Sequence, residues 1–537
     1  MKNLPIGIQT IQEIITDGYI YVDKTQFALE LIKKGKHYFL SRPRRFGKSL
    51  FVSTLKEIFK GNKALFEGCH IAASNYDWKP YPVLLLNFGD IKNKTPEKLE
   101  VDLRDTLNTI GEEEGIEVVK PSLESHLKAL IKALAKNGRV VILIDEYDKP
   151  LIDHLHNQEV AEGNRQLLQD FFGVLKNLDE YIKFTFITGV SKFSKVSLFS
   201  GANHLKDISM NARYAAMMGY TQQELIEYFD QHIQAIAQEK NQQGEPSTKE
   251  KVLEEIKDWY NGYRFSKSET YVYNPFSTLN YLDEKEANSY WFATATPTFL
   301  VEELKKRPQE VTSLSQMLAT QDDLGDIHEV DAIPFPALLF QAGYLTIQDY
   351  QVDLGAYQLD FPNKEVRKGF FISMLTVLGK LPSLKVTRMA DKLRASLSTL
   401  DLDTFFSIIQ THFSKITYHT YQHDKEGPYQ ALFLTFLELS EIHTQSEIAT
   451  NKGRMDVLCQ LSNMFYIFEL KVDQRADKAM EQILDQEYSQ LCRHQGKQIV
   501  VMGVNFSSKK RNIDTWQGEL LDEDGKLIRR LAPEDKP

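Results

Sequence analysis

The sequence has few cysteines and no long apolar run. Its three cysteines, Cys69, Cys459 and Cys492, are scattered over 537 residues and fit neither a disulfide framework nor a metal-knuckle spacing. The longest apolar runs, such as VVILI and PVLLL, are far shorter than the roughly 18–20 residues that span a bilayer. The N-terminus also lacks the apolar core of a signal peptide. We therefore expect a cytoplasmic protein that does not cross a membrane.

An excess of positive charge is absent as well. The formal net charge is −10, which excludes a protein that coats nucleic acid by charge alone. With 42% hydrophobic and 26% charged residues the composition is that of a globular protein, and the chain is too long for a single core. Basic residues cluster in RPRR at 42–45 and KKR at 509–511. A cluster such as the second is more often a solvated face than a binding site.

The first 215 or so residues alternate short apolar runs with amphipathic stretches. The runs lack the period-2 alternation of a half-exposed strand, which is typical of parallel strands covered on both faces. Stretches such as KSLFVSTLKEIFK, between the runs, have helical periodicity. The pattern predicts an α/β domain with a parallel sheet. The four predicted strands are HYFLS (37–41), PVLLLNF (82–88), RVVILI (139–144) and KFTFITGV (183–190).

The remainder of the chain divides into three predicted parts. Thr221 and Glu224 form a potential capping box at the start of a helical region. Further on, ALLFQAGYLTI and AYQLDFP are expected to be paired strands around a polar loop, and the last 120 or so residues mix strands with helices. The predicted domains are an α/β domain (1–215), a helical lid (216–310), a connector with winged or α/β character (311–415) and a second α/β domain (416–537).

Residues 41–50, SRPRRFGKSL, end like a phosphate-binding loop. In such a loop, backbone N–H groups and a helix N-terminus converge on phosphate oxygens, a lysine neutralises charge, and a hydroxyl residue ligates Mg²⁺. Lys48 and Ser49 fill these roles between a strand and a helix, but Arg42 occupies the position of the first glycine. A basic turn is the alternative. The predicted nucleotide-binding residues of this segment are Arg44, Arg45, Phe46, Gly47, Lys48, Ser49 and Leu50.

A second apolar strand ends in two acids, Asp145 and Glu146. In additional-strand ATPases the first acid holds Mg²⁺ and the second polarises the attacking water. Acids at a helix N-terminus are the alternative, because such acids are common. A third strand ends near Thr188 and Ser191, either of which is a candidate sensor of the γ-phosphate. Together, the loop and the acids predict an ATP and Mg²⁺ site.

The segment RMDVLCQLSNMFYIFELKV predicts a β-hairpin with a turn near Ser462–Asn463. That register places Asp456 opposite Glu469, close enough for two carboxylates to share a Mg²⁺ or Mn²⁺ ion. Lys471 projects from the same face as Glu469 and is expected to orient a water or stabilise charge. A surface Glu–Lys pair is the alternative, although an unpaired carboxylate among apolar neighbours would be costly.

Several segments resemble the signatures of one family, the bacterial AAA-ATPase-like proteins fused to a PD-(D/E)xK nuclease domain. In that family the loop usually reads Arg-Pro-Arg-Arg-Phe, which accounts for Arg42. The resemblance implies that Glu426 completes the metal shell, and it weakens a contact at Gln430, where the family more often has histidine. Glu447, Gln482 and Tyr488 are further candidates, each of which could equally be structural. The segments are YVDKT (21–25), SRPRRFGKSL (41–50), LIDEYDKPL (143–151), TGVSKFSKVSLFSG (188–201), WYNGYRF (259–265), VYNPFS (272–277) and PNKEV (362–366).

These features predict a P-loop ATPase domain with a helical lid and a C-terminal restriction-endonuclease-like α/β domain. The expected function is ATP hydrolysis coupled to metal-dependent cleavage of nucleic acid, with DNA as the expected substrate. The alternatives are an ATPase whose nuclease-like domain binds without cutting, and a nucleotide-dependent protein-interaction module. Arg213 either reaches a second copy in a homo-oligomer or forms a salt bridge within one chain.

Overall fold

The computed structural model divides the chain into two compact units. The first comprises Met1–Ala295 and Leu318–Glu365, and the second comprises Thr296–Met317 and Val366–Pro537. The four-domain division predicted from the sequence stays a prediction. The residues that the structure describes are 1–155, 157–192, 205–295, 314, 317–325, 334–379, 383–414, 427–440, 442–449 and 453–533.

The first unit contains a parallel five-stranded sheet. Its order is β2-β3-β4-β1-β5, so that β4 lies between the strand before the phosphate loop and the strand that ends in the two acids. That inserted strand is the additional strand expected from the sequence. β1, β3 and most of β4 are buried along their length, which explains their continuous apolar runs. The strands are β1 (His37–Ser41), β2 (Val83–Asn87), β3 (Val140–Asp145), β4 (Ile182–Gly189) and β5 (Lys206–Asp207).

Amphipathic helices cover this sheet. Leu99, Leu103 and Leu107, spaced four residues apart on α4, are fully buried in the same core as strand residues such as Leu84 and Ile142. The helices of this region are α1 (Ile11–Thr16), α2 (Thr25–Lys34), α3 (Lys48–Phe59), α4 (Pro96–Glu113), α5 (Leu123–Leu134), α6 (Lys149–Ile152) and α7 (Gln158–Gly173).

A helical region follows, and its first helix begins where the sequence predicts. The amide of Glu224 donates to the Thr221 hydroxyl at 3.2 Å, and the Glu224 carboxylate accepts from the Thr221 amide at 2.7 Å, which confirms the capping box. These helices have their own apolar core, to which Ile20 and Val22 from the N-terminal segment contribute. They are α8 (Gln222–Gln242), α9 (Lys249–Tyr260), α10 (Pro275–Glu284) and α11 (Tyr290–Ala295).

One expectation for the following segment was wrong. ALLFQA is part of helix α13 (Phe335–Ala342), not of a strand. Pro336 in the first turn and Gly343 at the C-terminus, with φ 93°, are start and stop signals that outweigh the short apolar run. Only the residues after the glycine form the hairpin. The other elements are β6 (Met317–Ala319), α12 (Gln321–Leu324), β7 (Thr346–Gln351) and β8 (Ala356–Asp360), with sheet order β6-β8-β7.

The second unit is built on a six-stranded sheet in the order β14-β13-β12-β11-β10-β9. β11 and β12 are parallel and are joined through α18, whereas the other neighbouring pairs are antiparallel. The helices are α14 (Lys364–Gly379), whose first two residues belong to the first unit, α15 (Ser383–Ser398), α16 (Leu402–Phe413), α17 (Gly427–Leu439) and α18 (Ala476–Asp485). The strands are β9 (His443–Ala449), β10 (Arg454–Gln460), β11 (Met464–Val472), β12 (Gln498–Ser507), β13 (Asn512–Leu521) and β14 (Leu527–Leu531).

Across the described part of the chain, no helix has both the length and the apolar character required to cross a membrane.

Candidate nucleotide and metal sites

The phosphate loop connects β1 to α3 with two residues in left-handed conformations. Arg45 has φ 67° and Gly47 has φ 91°, and Lys48 is the first residue of α3. A Cβ at position 47 would meet nothing within 4 Å, so the glycine is required for its backbone angle and not for space. The Lys48 ammonium is buried and donates to the carbonyls of Arg42 (3.0 Å) and Pro43 (2.9 Å). Burial lowers the pKa of Lys48, while Asp145, Asp148 and Glu146 oppose that shift.

Arg42, which replaces the first glycine, lies beneath the loop and does not line the cavity. Its buried guanidinium donates to the carbonyls of Ser41 (2.9 Å) and Ser209 (2.7 Å) and stacks 4.3 Å from the ring centre of Phe265. Burial lowers the pKa of Arg42 to about 9, and the charge of Asp207 opposes the shift. Arg42 is therefore an anchor for the loop backbone.

Aromatic residues of the helical region also pack against the loop. Phe46 is buried and meets Tyr263 and Phe265 edge-on, with ring centres 4.8 and 5.5 Å apart. The Arg45 guanidinium lies 5.1 Å from the ring of Phe276. The segments WYNGYRF and VYNPFS thus pack against the phosphate loop.

Asp145 ends β3 beside Lys48 and Ser49. Its Oδ1 accepts the N–H of Glu146 at 2.9 Å. Burial raises the pKa of Asp145, opposed by a hydrogen bond from Ser49 and by the charge of Lys48. Glu146 has φ 52° and lines the cavity together with Lys48 and Ser49. The structure therefore brings together the lysine, the hydroxyl and both acids that the sequence singled out.

Asp148 is a buried acid that the sequence analysis did not single out. Its Oδ2 accepts hydrogen bonds from the N–H of Val190 (3.0 Å) and from the N–H and Oγ of Ser191 (both 2.7 Å). Burial raises the pKa of Asp148, while the hydrogen bonds from Ser191 and the charge of Lys48 oppose the shift. The carboxylate joins the segment after β3 to the end of β4. Its only signal in the sequence is the third acid in IDEYD.

The two candidate sensors differ in their surroundings. Thr188 is fully buried, does not line the cavity, and its Oγ1 has no hydrogen-bond partner among the described residues. Ser191 donates its hydroxyl to Asp148. A γ-phosphate contact by Thr188 stays a prediction.

A cavity of about 370 Å³ opens beside the loop. One part of its wall is polar and includes Arg44, Lys48, Ser49 and Glu146. Another part is apolar and combines the N-terminal segment with the helical region, through residues that include Ile8, Ile14, Val22, Met217, Phe276 and Leu279. Such a wall suits a ligand with one anionic end and one flat apolar end.

Arg213 is about half exposed and lies 3.3 Å from Glu30 of the same chain. The salt-bridge alternative is thus observed, and a homo-oligomer stays a prediction.

The predicted hairpin of the second unit has the predicted register. The β10–β11 pairs Val457–Phe468 and Leu458–Ile467 place Asp456 and Glu469 at the next position along the ladder. Oδ2 of Asp456 accepts the N–H of Leu470 at 2.8 Å, which fixes the carboxylate beside β11. The two acids therefore meet on adjacent strands, as the turn position indicated.

Glu469 carries an unsatisfied buried oxygen. Its side chain is 1% exposed, and Oε1 accepts a hydrogen bond from Nζ of Lys471 at 2.9 Å. Oε2 is buried without a hydrogen-bond partner in the described structure. Burial and the charge of Asp456 raise the pKa of Glu469 to about 7, against the opposing effect of Lys471. An orphaned carboxylate oxygen beside a second carboxylate fits a divalent cation, which prefers oxygen ligands.

The remaining metal-site candidates are only partly described. Glu426 lies outside the described residues, within which no group of three histidine, cysteine or acidic residues is placed to hold a metal. Glu447 is on β9, and Gln430, on α17, has a buried Nε2 with no partner in the described structure. Gln482 donates to the hydroxyl of Tyr488 at 3.3 Å. Tyr488 is close enough to Glu469, Asp456 and Lys471 for their charges to affect its pKa, which burial raises.

The sheet order, the loop and the acids define the first unit as a P-loop ATPase fold, and the sheet with facing acids defines the second as nuclease-like. The chain belongs to the family of AAA-ATPase-like proteins that carry a C-terminal PD-(D/E)XK nuclease superfamily domain. The model described as predicted AAA-ATPase matches residues 5–199, and the PD-(D/E)XK nuclease superfamily model matches residues 424–516.

One relative is similar over almost its whole length. An uncharacterized protein in the vnfD 5′ region of Azotobacter chroococcum mcd 1 is 38% identical over 526 residues, which cover 95% of this chain and 98% of the relative. Among solved structures, the Aeropyrum pernix ORC2 protein (ADPNP-ADP complexes) aligns over 68% of this chain and 97% of its own. At 11% identity and a TM-score of 0.28, that similarity carries no argument about function.

Proposed function

We propose that this protein binds and hydrolyses ATP with Mg²⁺ and uses the nucleotide cycle to control a metal-dependent nuclease that cleaves DNA. One observation carries the proposal: two sites of different chemistry are assembled on one chain. The site in the first unit lies at the edge of the parallel sheet and combines Lys48, Ser49 and Asp145. The site in the second unit lies on the β10–β11 hairpin and combines Asp456, Glu469 and Lys471.

In the first unit, the loop backbone and Lys48 would bind the phosphates, since the ammonium lies where it can exchange two backbone carbonyls for phosphate oxygens. Ser49 and Asp145 would hold Mg²⁺, whose chemistry is to neutralise charge on the phosphates. Glu146 would orient the attacking water from the cavity wall. Phe46 keeps the loop against the helical region while these groups act.

In the second unit, Asp456 and Glu469 would hold Mg²⁺ or Mn²⁺, with Glu426 as a proposed further ligand. The ion's chemistry there is to polarise a scissile phosphate and stabilise its developing charge. Nζ of Lys471 lies 2.9 Å from Oε1 of Glu469. When the Glu469 carboxylate binds a metal ion, the ammonium would be available to hold a water or to bind a phosphate oxygen. The backbone N–H of Leu470 keeps Asp456 oriented.

The experiment is a cleavage assay on linear and circular DNA and on RNA, with Mg²⁺ or Mn²⁺, with and without ATP. Asp456→Asn should abolish cutting while ATP turnover continues. Lys48→Ala should abolish ATP turnover and any ATP dependence of cutting. If the wild-type protein leaves every substrate intact under all these conditions, the nuclease half of the proposal is wrong.

A second candidate is an ATPase whose nuclease-like domain binds nucleic acid without cutting. It is favoured by the presence of only two acids at the hairpin site among the described residues. This candidate predicts binding without metal and no effect of Lys471→Ala. Tight ATP binding with negligible hydrolysis and no affinity for nucleic acid would instead indicate a nucleotide-dependent protein-interaction module.

A further inference from the structure

A tryptophan far along the chain holds the backbone of the phosphate loop. The indole Nε1–H of Trp291 donates to the carbonyl of Arg44 at 3.0 Å, across a sequence separation of 247 residues. Trp291 is 1% exposed, and its hydrogen bond to the Arg44 carbonyl is partly buried. A buried indole N–H needs such a partner, and Arg44 supplies it.

The indole itself is held in place on several sides. Its ring meets Tyr344 edge-on, with centres 5.3 Å apart. At Gly343, a Cβ would lie 2.6 Å from Pro43 of the loop and 3.5 Å from the indole, so that position has no room for a side chain. Gly343 therefore lies in close contact with both Pro43 of the loop and the ring of Trp291.

The backbone of Trp291 is fixed by a buried acid. Oε1 of Glu365 accepts the Trp291 N–H at 2.6 Å, and Glu365 is fully buried in the first turn of α14. This N–H is in the first turn of α11, where a helix has no internal partner for it. Glu365 belongs to PNKEV, and Asn363 of the same segment donates to the carbonyl of Asn261 in WYNGYRF at 2.7 Å. Neither segment takes part in the proposed chemistry.

We infer that Trp291 is a positioning residue for the phosphate loop and that Glu365 acts on the loop through Trp291. The peptide unit is planar, so holding the Arg44 carbonyl also fixes the direction of the Arg45 N–H on its opposite side. Arg44 and Arg45 line the nucleotide cavity. Nucleotide affinity therefore depends on a hydrogen bond from outside the loop, and nucleotide binding acts in return on Trp291 and Glu365.

This inference rests on the proposed nucleotide site, and the test separates the two. Trp291→Phe keeps an aromatic ring but removes the N–H donor, and Trp259→Phe in the neighbouring helix α9 is the matched control. With Mg²⁺ present, W291F should bind ATP about fivefold more weakly than wild type, the loss expected for the net contribution of one hydrogen bond. The KM for ATP should rise by the same factor with kcat changed less than twofold, since Trp291 does not touch the reacting groups. W259F should match wild type.

Glu365 provides a second, independent pair of variants. Burial raises the pKa of Glu365 to about 8, against the opposing effect of the hydrogen bond from the Trp291 N–H, so glutamine resembles its neutral form. Glu365→Gln should keep wild-type affinity for ATP, whereas Glu365→Ala should weaken it as W291F does. The emission change of the tryptophans on adding ATP should persist in W259F and disappear in W291F.

The outcomes are distinct. If wild type binds no nucleotide, the proposed function fails and this inference fails with it. If wild type binds ATP and folded W291F binds it equally well, only the inference is overturned. Should W291F not fold, equal ATP affinity of E365A and E365Q overturns it instead.

Discussion

Nζ of Lys471 and Oε1 of Glu469 lie 2.9 Å apart on one face of β11, while the other oxygen of Glu469 is buried without a hydrogen-bond partner in the described structure. Only one oxygen of the Glu469 carboxylate thus has a hydrogen-bond partner among the described residues. Its pKa, raised to about 7 by burial and by Asp456, makes this arrangement testable.

Because the folded-state pKa of Glu469 is raised, its contribution to stability is present below the pKa of the unfolded chain and is lost as pH rises through about 7. Without metal, Glu469→Gln should therefore raise the free energy of unfolding at pH 8 by about 3 kcal/mol. At pH 4 the two proteins should be close. Adding Mg²⁺ or Mn²⁺ at pH 8 should stabilise wild type only. Thermal melts in chelator and in metal provide the measurement, and equal melting at pH 8 in chelator would contradict the prediction.

Glu146 should separate ATP binding from hydrolysis. Its side chain lines the cavity but receives no hydrogen bond from the loop in the described contacts, so Glu146→Gln should leave ATP affinity within about twofold. Turnover should fall at least about a hundredfold, the scale on which a water-orienting base acts. Asp145→Asn is the contrasting variant, since it should weaken the Mg²⁺-dependent part of binding. Binding and phosphate release are measured on the same preparations, and undiminished release by E146Q would disprove the assignment.

Replacing Asp148 should strongly destabilise the fold, because its carboxylate joins the segment after β3 to the end of β4. Asp148→Ala leaves the N–H groups of Val190 and Ser191 without their acceptor, which should cost about 3 kcal/mol or more of folding stability. The control is Asp258→Ala, which removes an exposed ion pair with Lys364 and should cost less than about 1 kcal/mol. Chemical denaturation compares the two. Similar losses for both would show that the Asp148 hydrogen bonds contribute little.

Gly262 should be irreplaceable in WYNGYRF. An added Cβ would lie 1.9 Å from the carbonyl oxygen of Pro362, and φ is 91°. Gly262→Ala should therefore destabilise the protein by several kcal/mol or prevent folding. Gly244→Ala is the control, because φ is 87° there but nothing lies within 4 Å, so only a backbone penalty of about 1 kcal/mol is expected. Soluble yield and melting temperature of the two variants decide the point.

Local patterns in the sequence predicted most of the regular structure. The four apolar runs became β1 to β4, and the turn near Ser462–Asn463 predicted the register of β10 and β11, because side chains alternate with a period of two. ALLFQA was assigned wrongly because a short apolar run suits either a buried strand or a buried helix. The proline and glycine at its ends were the deciding signals.

The support of the sites could not be predicted in the same way. Trp291 meets Arg44, and Asp148 meets Ser191, only through tertiary packing, and neither sequence pattern states a partner. The sequence showed that Arg42 belongs to the loop, but it did not predict that the Arg42 side chain is buried, since an arginine in a basic run gives no sign of burial. The residues proposed to perform the chemistry follow recognisable spacings in the sequence. The residues that support them are brought into place only by tertiary packing.

Arg42 also has a consequence for how the phosphate loop is made ready. A glycine-rich loop is flexible and becomes ordered when its ligand arrives, at an entropic expense that weakens binding. Here the guanidinium under the loop ties it to Ser41 and Ser209 as soon as the chain folds. The start of the loop is therefore ordered before any ligand binds, so a larger share of the phosphate contacts at the proposed nucleotide site would remain as net affinity.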